Sequence, residues 1–182
     1  MPAGNKSTFA KPGSRLRELD LVLPTAATPL GAYVEASEVG LLLFLSGILP
    51  VVNRKLSITG RLGENLSVEQ GREATRIAAM NALAVAQQHL GDLDRVRKLV
   101  KLSVALATTE QFVEHAAVAD GASDLFVQLF GIENGHARMV YGVQSLPIGR
   151  LSLWRSSSRS HETALGNPSR SHTYYEHREC SG

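Results

Sequence analysis

Hydrophobic and polar positions along the chain follow two different periods, and these mark out strands and helices. "GAYVEASEVGLLLFLSG" reads as two strands around a turn at Ser37–Glu38, the first alternating and the second a continuous apolar run suited to a buried strand. "VVNRKLSITGRLGENL" is polar and glycine-containing, which predicts a loop. A long helix begins at Ser67, which forms a capping box with Gln70, each side chain satisfying a free N–H of the first turn. Its body, "VEQGREATRIAAMNALAVAQQHL", is rich in alanine and straight-chain helix formers. Ala74, Ile77, Met80 and Ala84 share one face, a narrow stripe that allows close packing on a sheet, and Gly91 is placed to end the helix. Val100, Leu102, Val104 and Leu106 recur with period two and predict a strand with one buried face. "GASDLFVQLFG" predicts a second helix with Leu125, Phe126 and Leu129 on its apolar face, and Arg138 to Leu146 a further strand. The order β-β-α-β-α-β predicts an α+β fold in which two helices pack on one face of a mixed sheet.

The two ends break this pattern. Pro2, Gly4, Pro12 and Gly13 interrupt any period, so residues 1–17 read as a loosely ordered lead-in to a domain spanning 18–149. From Arg150 the composition turns abruptly to Ser, Arg and His, in "RLSLWRSSSRSHETALGNPSRSHTYYEHRECSG". So few aliphatic residues cannot offset the entropy of ordering, which predicts a disordered tail over 150–182, with only "LSLW" able to continue the fold.

Composition adds mainly exclusions. The 182 residues, 43% hydrophobic and 20% charged, have the profile of one globular domain with some tail. A net charge of +2, from 19 basic and 17 acidic residues, is too balanced to argue for a nucleic-acid partner. Cys180 is the one cysteine, so no internal disulfide can form. The most apolar run, "VGLLLFLSGILPVV", is interrupted at Ser46, Gly47 and Pro50 and is too short to cross a membrane. The first residues lack the apolar segment of a secretory signal, so the expected location is the cytoplasm.

Candidate chemistry centres on "GHARMVYGVQSLPIG", where Arg138 stands at the mouth of a strand between Ala137 and Met139. A guanidinium there can grip a carboxylate through two parallel hydrogen bonds, or can simply pair with a surface acid. Asp120 can cap the second helix. His115 and His136 fit no metal-ligand spacing with a third donor; they are expected to be solvated, and no metal or cofactor is expected. Gly131 and Gly135 bracket "IEN" without the lysine of a phosphate loop. Arg155, Arg159, Arg170, His172, Tyr174 and Tyr175 of the tail could meet RNA phosphates and bases or stay solvated.

Several local segments, in order, resemble the RidA (YjgF) family of reactive-intermediate deaminases, in the branch often labelled endoribonuclease L-PSP. "PLGAYVEA" is similar to the family's Gly-Pro-Tyr-Ser segment and "LSGILP" to its Ser-Gly-Gln-Ile-Pro. "MNALAVAQQHLGDLDRVRKLVKLSV" is similar to its helix–Gly–strand unit, and "RMVYGVQSLP" to its strand of Arg, alternating apolar positions and closing Leu-Pro. The resemblance spans roughly Leu23 to Gly149. It implies a chorismate-mutase-like fold, a homotrimer with clefts between subunits, and hydrolysis of enamines and imines to 2-oxo acids and ammonia without a cofactor. It also implies that Arg138 grips the substrate carboxylate, that Tyr33 and Ser46 with Gly47 line the pocket, and that Asp120 stands about where the family often has asparagine. No catalytic residue is assignable, because the family's closing strand of alternating Val and Glu, with its water-positioning glutamate, is replaced by "IGRLSLWRSSS" and no acid follows until Glu162. That leaves room for a binding module for a small carboxylate on the same fold. It also suggests a shifted reading frame or a recently acquired C-terminus, and the frameshift idea fails if neither of the other two frames of the coding DNA encodes a Val/Glu-alternating strand.

Overall fold

The computed structural model describes residues 11–26 and 31–146, and the backbone of 152–160. The described residues open with α1 (Pro12–Glu18), which begins inside the 1–17 segment expected to be loosely ordered. Proline at the first helical position has no N–H to leave unpaired and its φ is already helical, so Pro12 starts the helix. Leu16 is buried in the main core, and Asp94 Oδ1 accepts a 2.7 Å hydrogen bond from Gly13 N–H. Short-range periodicity misses a single buried leucine of this kind.

Next come β1 (Ala36–Val39) and β2 (Leu42–Leu45), then the two-residue strands β3 (Val51–Val52) and β4 (Lys55–Leu56). Val39 pairs with Leu42, so the turn lies at Gly40–Leu41 and not at Ser37–Glu38. Gly40 adopts φ +58°, the left-handed conformation that a tight hairpin demands and glycine adopts freely. The expected loop after Pro50 contains a second hairpin, turned by Asn53 and Arg54 at φ 51° and 62°.

Helix α2 (Val68–Leu90) is capped as predicted. Ser67 Oγ accepts from the Gln70 N–H at 3.2 Å, and Gln70 Oε1 accepts from the Ser67 N–H at 2.9 Å. Gly91, at φ +78°, closes the far end. The buried side is rotated from the one expected: Ala74, Ala78, Ala79, Ala82, Leu83 and Ala86 are covered, whereas Ile77 and Met80 sit half-buried at the margin. Small residues take this side because α2 packs against the sheet and against α3 (His115–Phe130) at once. At the helix crossing, a Cβ on Gly121 would collide with the Arg72 carbonyl, and one on Gly71 with Leu62 and Val118. Thr75 Oγ lies 2.8 Å from the Val118 carbonyl and 2.9 Å from that of Arg72, so its proton ties the two backbones together.

Between these helices runs β5 (Val96–Ala107), and after α3 come β6 (Ala137–Val143) and β7 (Ser152–Ser160). The five-stranded sheet has the order β1-β2-β7-β5-β6, with β6 parallel to β5 and the other pairs antiparallel. Leu102, Val104 and Leu106 face the helices as expected, but irregular register below Lys101 transfers burial from Val100 to Leu99. Strand β7 begins within the "LSLW" expected to be able to continue the fold and runs on to Ser160, and it corrects the expectation that the sheet lacks this strand: it lies inside the sheet, paired with both β2 and β5. A strand flanked on both sides has its backbone groups satisfied whatever its side chains, which composition cannot reveal. Cys180 and the tail residues Arg170, His172, Tyr174 and Tyr175 lie outside the described residues.

Helices α1, α2 and α3 contribute to one core on one face of the sheet. The register places Val39, Leu42, Phe44, Met139, Tyr141 and Val143 on the opposite face, where Val39 is 64% and Met139 50% exposed. Among the described residues, no helix is long and apolar enough to cross a membrane.

Candidate functional site

Two groups of predicted site residues form, towards opposite edges of the sheet. In the first, Ser46 follows β2 directly and folds back on the segment before β1. Its N–H donates to Glu35 O at 2.9 Å and its hydroxyl to Val34 O at 2.5 Å. This places Ser46 and Gly47 beside Tyr33, whose side chain is about half exposed and lies over Gly31.

In the second group, β6 carries Arg138 next to Leu102 of β5, on the helix side of the sheet. Arg138 Nη1 donates to Asp120 Oδ1 at 2.5 Å and to Ser123 Oγ at 3.0 Å, both on α3. Asp120 is therefore no helix cap. It lies in the body of α3, which begins at His115, and its carboxylate also comes within 3.9 Å of Arg72 Nη1 on α2. Arg72 is itself held by Asp124 at 2.8 Å and by the Ala117 carbonyl at 2.9 Å. Sequence reading missed Ser123 and Arg72. Ser123 had a signal, being three residues after Asp120 and so on the same helical face; Arg72 had none.

His136 departs from its expected solvated state. Its Nε2 lies 3.1 Å from Ser123 Oγ and its ring meets Phe126 edge-on. Ser123 Oγ, which accepts from Arg138, keeps its own proton available for His136 Nε2, the arrangement that suits a neutral ring protonated on Nδ1. Burial first, and then the Arg138 charge, hold the His136 pKa below 6.5. In the unfolded chain His136 binds its proton near pH 6.5, whereas in the folded chain it does so only at lower pH. The unfolded state thus takes up more protons in that window, and stability falls as pH drops through 6.5 towards the folded pKa. Denaturant midpoints at pH 7.5 and 5.5 should accordingly differ more for the natural chain than for His136→Gln. Equal differences would remove His136 as the cause. His115 packs edge-on against Phe112 and stands apart from this network.

The two groups do not meet within one chain. Phe44, Ser157, Lys101 and Ala137 form one row across β2, β7, β5 and β6, so Ser46 and Arg138 lie at similar heights three strand spacings apart. That is about 14 Å, well beyond the reach of one small carboxylate.

With this geometry in place, the known relatives become informative. The family described as "YjgF/chorismate mutase-like, putative endoribonuclease" matches residues 13–156. "Protein TCP17" of Trypanosoma cruzi is 42% identical over 137 residues, covering 75% of this chain and 86% of that protein. A crystal structure of a "putative endoribonuclease" from Shewanella oneidensis superposes with a TM-score of 0.77 at 36% identity, covering 82% of this chain and 99% of that one. The protein Atu1372 from Agrobacterium tumefaciens, described as of unknown function, gives 0.74 at 34% identity, with 82% and 92% covered. The chain belongs to the YjgF/RidA family and has its chorismate-mutase-like α+β fold. The match runs to residue 156, beyond Gly149 and into β7.

Proposed function

We propose that the protein hydrolyses small enamines or imines bearing a carboxylate to 2-oxo acids and ammonia, in a cleft completed by a second copy of the chain in a homotrimer. The observation that carries this reading is the spare fork of Arg138. With Nη1 tied to α3, Nε and Nη2 keep two parallel N–H groups with no partner among the described residues, the arrangement a carboxylate accepts. An imine carbon is electrophilic once its nitrogen is protonated, so fixing the plane of the substrate beside one water supplies much of what the reaction needs. Tyr33, Ser46 and Gly47 would line the other wall, and because they lie towards the far sheet edge, a neighbouring copy has to supply them. The exposed apolar residues on the helix-free face, Val39 and Met139 among them, give copies a surface on which to associate.

Ammonia release from an imine generated in situ by an amino-acid oxidase tests the chemistry, with acceleration over buffer expected. Mixing two inactive variants, Arg138→Ala and Gly47→Trp, tests the shared cleft. Co-refolded at equal amounts, they should recover about one quarter of the natural activity, since a cyclic assembly then builds some sites from two intact halves. No recovery places both halves of the site in one copy.

A second reading has its own observation. β7, "SLWRSSSRS", carries no carboxylate where the family's water-positioning glutamate is expected. The same cleft would then bind a small carboxylate without turning it over. Binding of 2-oxobutanoate without ammonia release would favour this reading. Cleavage of a labelled single-stranded RNA by nuclease-free protein would instead favour the endoribonuclease label.

A further inference from the structure

We infer that Asp120 and Ser123 are positioning residues that decide which edge of Arg138 meets a ligand. The inference rests on the carboxylate-binding role proposed above and goes beyond it, to what makes that role work in this chain. Arg138 Nη1 has two N–H groups, and both are used, one on Asp120 Oδ1 at 2.5 Å and one on Ser123 Oγ at 3.0 Å. The two acceptors are three residues apart on α3, so one helical face presents them together. An arginine on an edge strand otherwise turns about its long stem and can offer any edge of its fork. Held at Nη1, this one can offer only Nε and Nη2.

The tether is itself held from behind. Asp120 Oδ2 faces Arg72 Nη1 at 3.9 Å, and Arg72 is fixed to α3 by Asp124 Oδ2 and the Ala117 carbonyl. Asp120 therefore stands between two guanidinium groups, beside the proposed carboxylate site. Its charge opposes a ligand carboxylate, so its contribution must come through geometry. This gives a result that simple electrostatics does not: removing the acid should weaken carboxylate binding although the site becomes more positive.

Three proteins decide the matter: Asp120→Ala, Asp120→Asn and Ser123→Ala. Nitrogen-15 spectra of arginine-labelled apo protein should show two separate Nη signals for Arg138 in the natural chain, because the tether slows rotation about the Cζ–Nε bond. They should merge in Asp120→Ala. In the imine assay, Asp120→Ala should raise KM about tenfold with kcat changed less than twofold. Asp120→Asn, which keeps an oxygen acceptor, should stay within about threefold of the natural KM, and Ser123→Ala should fall between them. If Asp120→Ala is too unstable to purify, Ser123→Ala carries both measurements. Merged Nη signals in the natural chain, or a lower KM in Asp120→Ala, overturn the inference. Separate signals in a protein that neither binds 2-oxobutanoate nor releases ammonia confirm the tether but sink the functional reading beneath it.

Discussion

Arg138→Ala is expected to lower kcat/KM for the proposed imine hydrolysis by at least about a hundredfold without unfolding the protein. In the proposed complex the Nε–Nη2 fork would make two charge-assisted hydrogen bonds to the substrate carboxylate, each contributing about 1.5–3 kcal/mol, and both would be lost. The Arg138 side chain is 27% exposed, so solvent screening sets the expectation at the low end of that sum. The fold should survive because Arg138 is on an edge strand and its ion pair with Asp120 is half solvated. Arg138→Lys should recover only a small part of the loss, since an ammonium cannot present two parallel donors. Unchanged ammonia release from Arg138→Ala, in protein with a natural circular dichroism spectrum, would rule out the carboxylate anchor.

The second large effect concerns the frame that carries Arg138. Gly121→Ala should destabilise the protein by about 3 kcal/mol or more, in the upper range for overpacking, because the added methyl meets backbone and not a movable side chain. Gly121 follows Asp120 directly and sits two residues before Ser123, where α3 crosses α2 over the Arg72 carbonyl. Separating the helices there would strain the Thr75 link and move both tether residues away from Arg138. Urea titration followed by circular dichroism measures the loss. A midpoint equal to that of the natural chain would mean that the crossing can open freely.

What the sequence made legible depended on whether the controlling contacts were local. Ser67 with Gln70 and the closing Gly91 mark the ends of α2 through neighbours a few residues away, and both are observed. The alternation of Leu102, Val104 and Leu106 likewise reports its own strand. The hairpin turn was misplaced because Ser37 and Glu38 are common turn residues, whereas the left-handed backbone at Gly40 decides the outcome. The β3–β4 hairpin escaped notice because two-residue strands are too short to show a period. The pairing of Arg138 with Asp120 spans 18 positions and depends on α3 passing under β6, so the guanidinium could be recognised but its neighbours could not. β7 was hidden most completely, since its place is fixed by the strands on either side.

That place has a consequence for how the chain reaches its fold. β2 and β5 are each made long before residue 152, yet they are joined only through β7. Until β7 arrives, two strand edges face one another across an empty slot, each with a row of unused backbone groups. During synthesis the sheet is thus finished by the last of the described strands to leave the ribosome, and a chaperone that binds extended segments has its longest opportunity at that slot. Closing it is a long-range event, so it should set the pace of folding more than the early helices do.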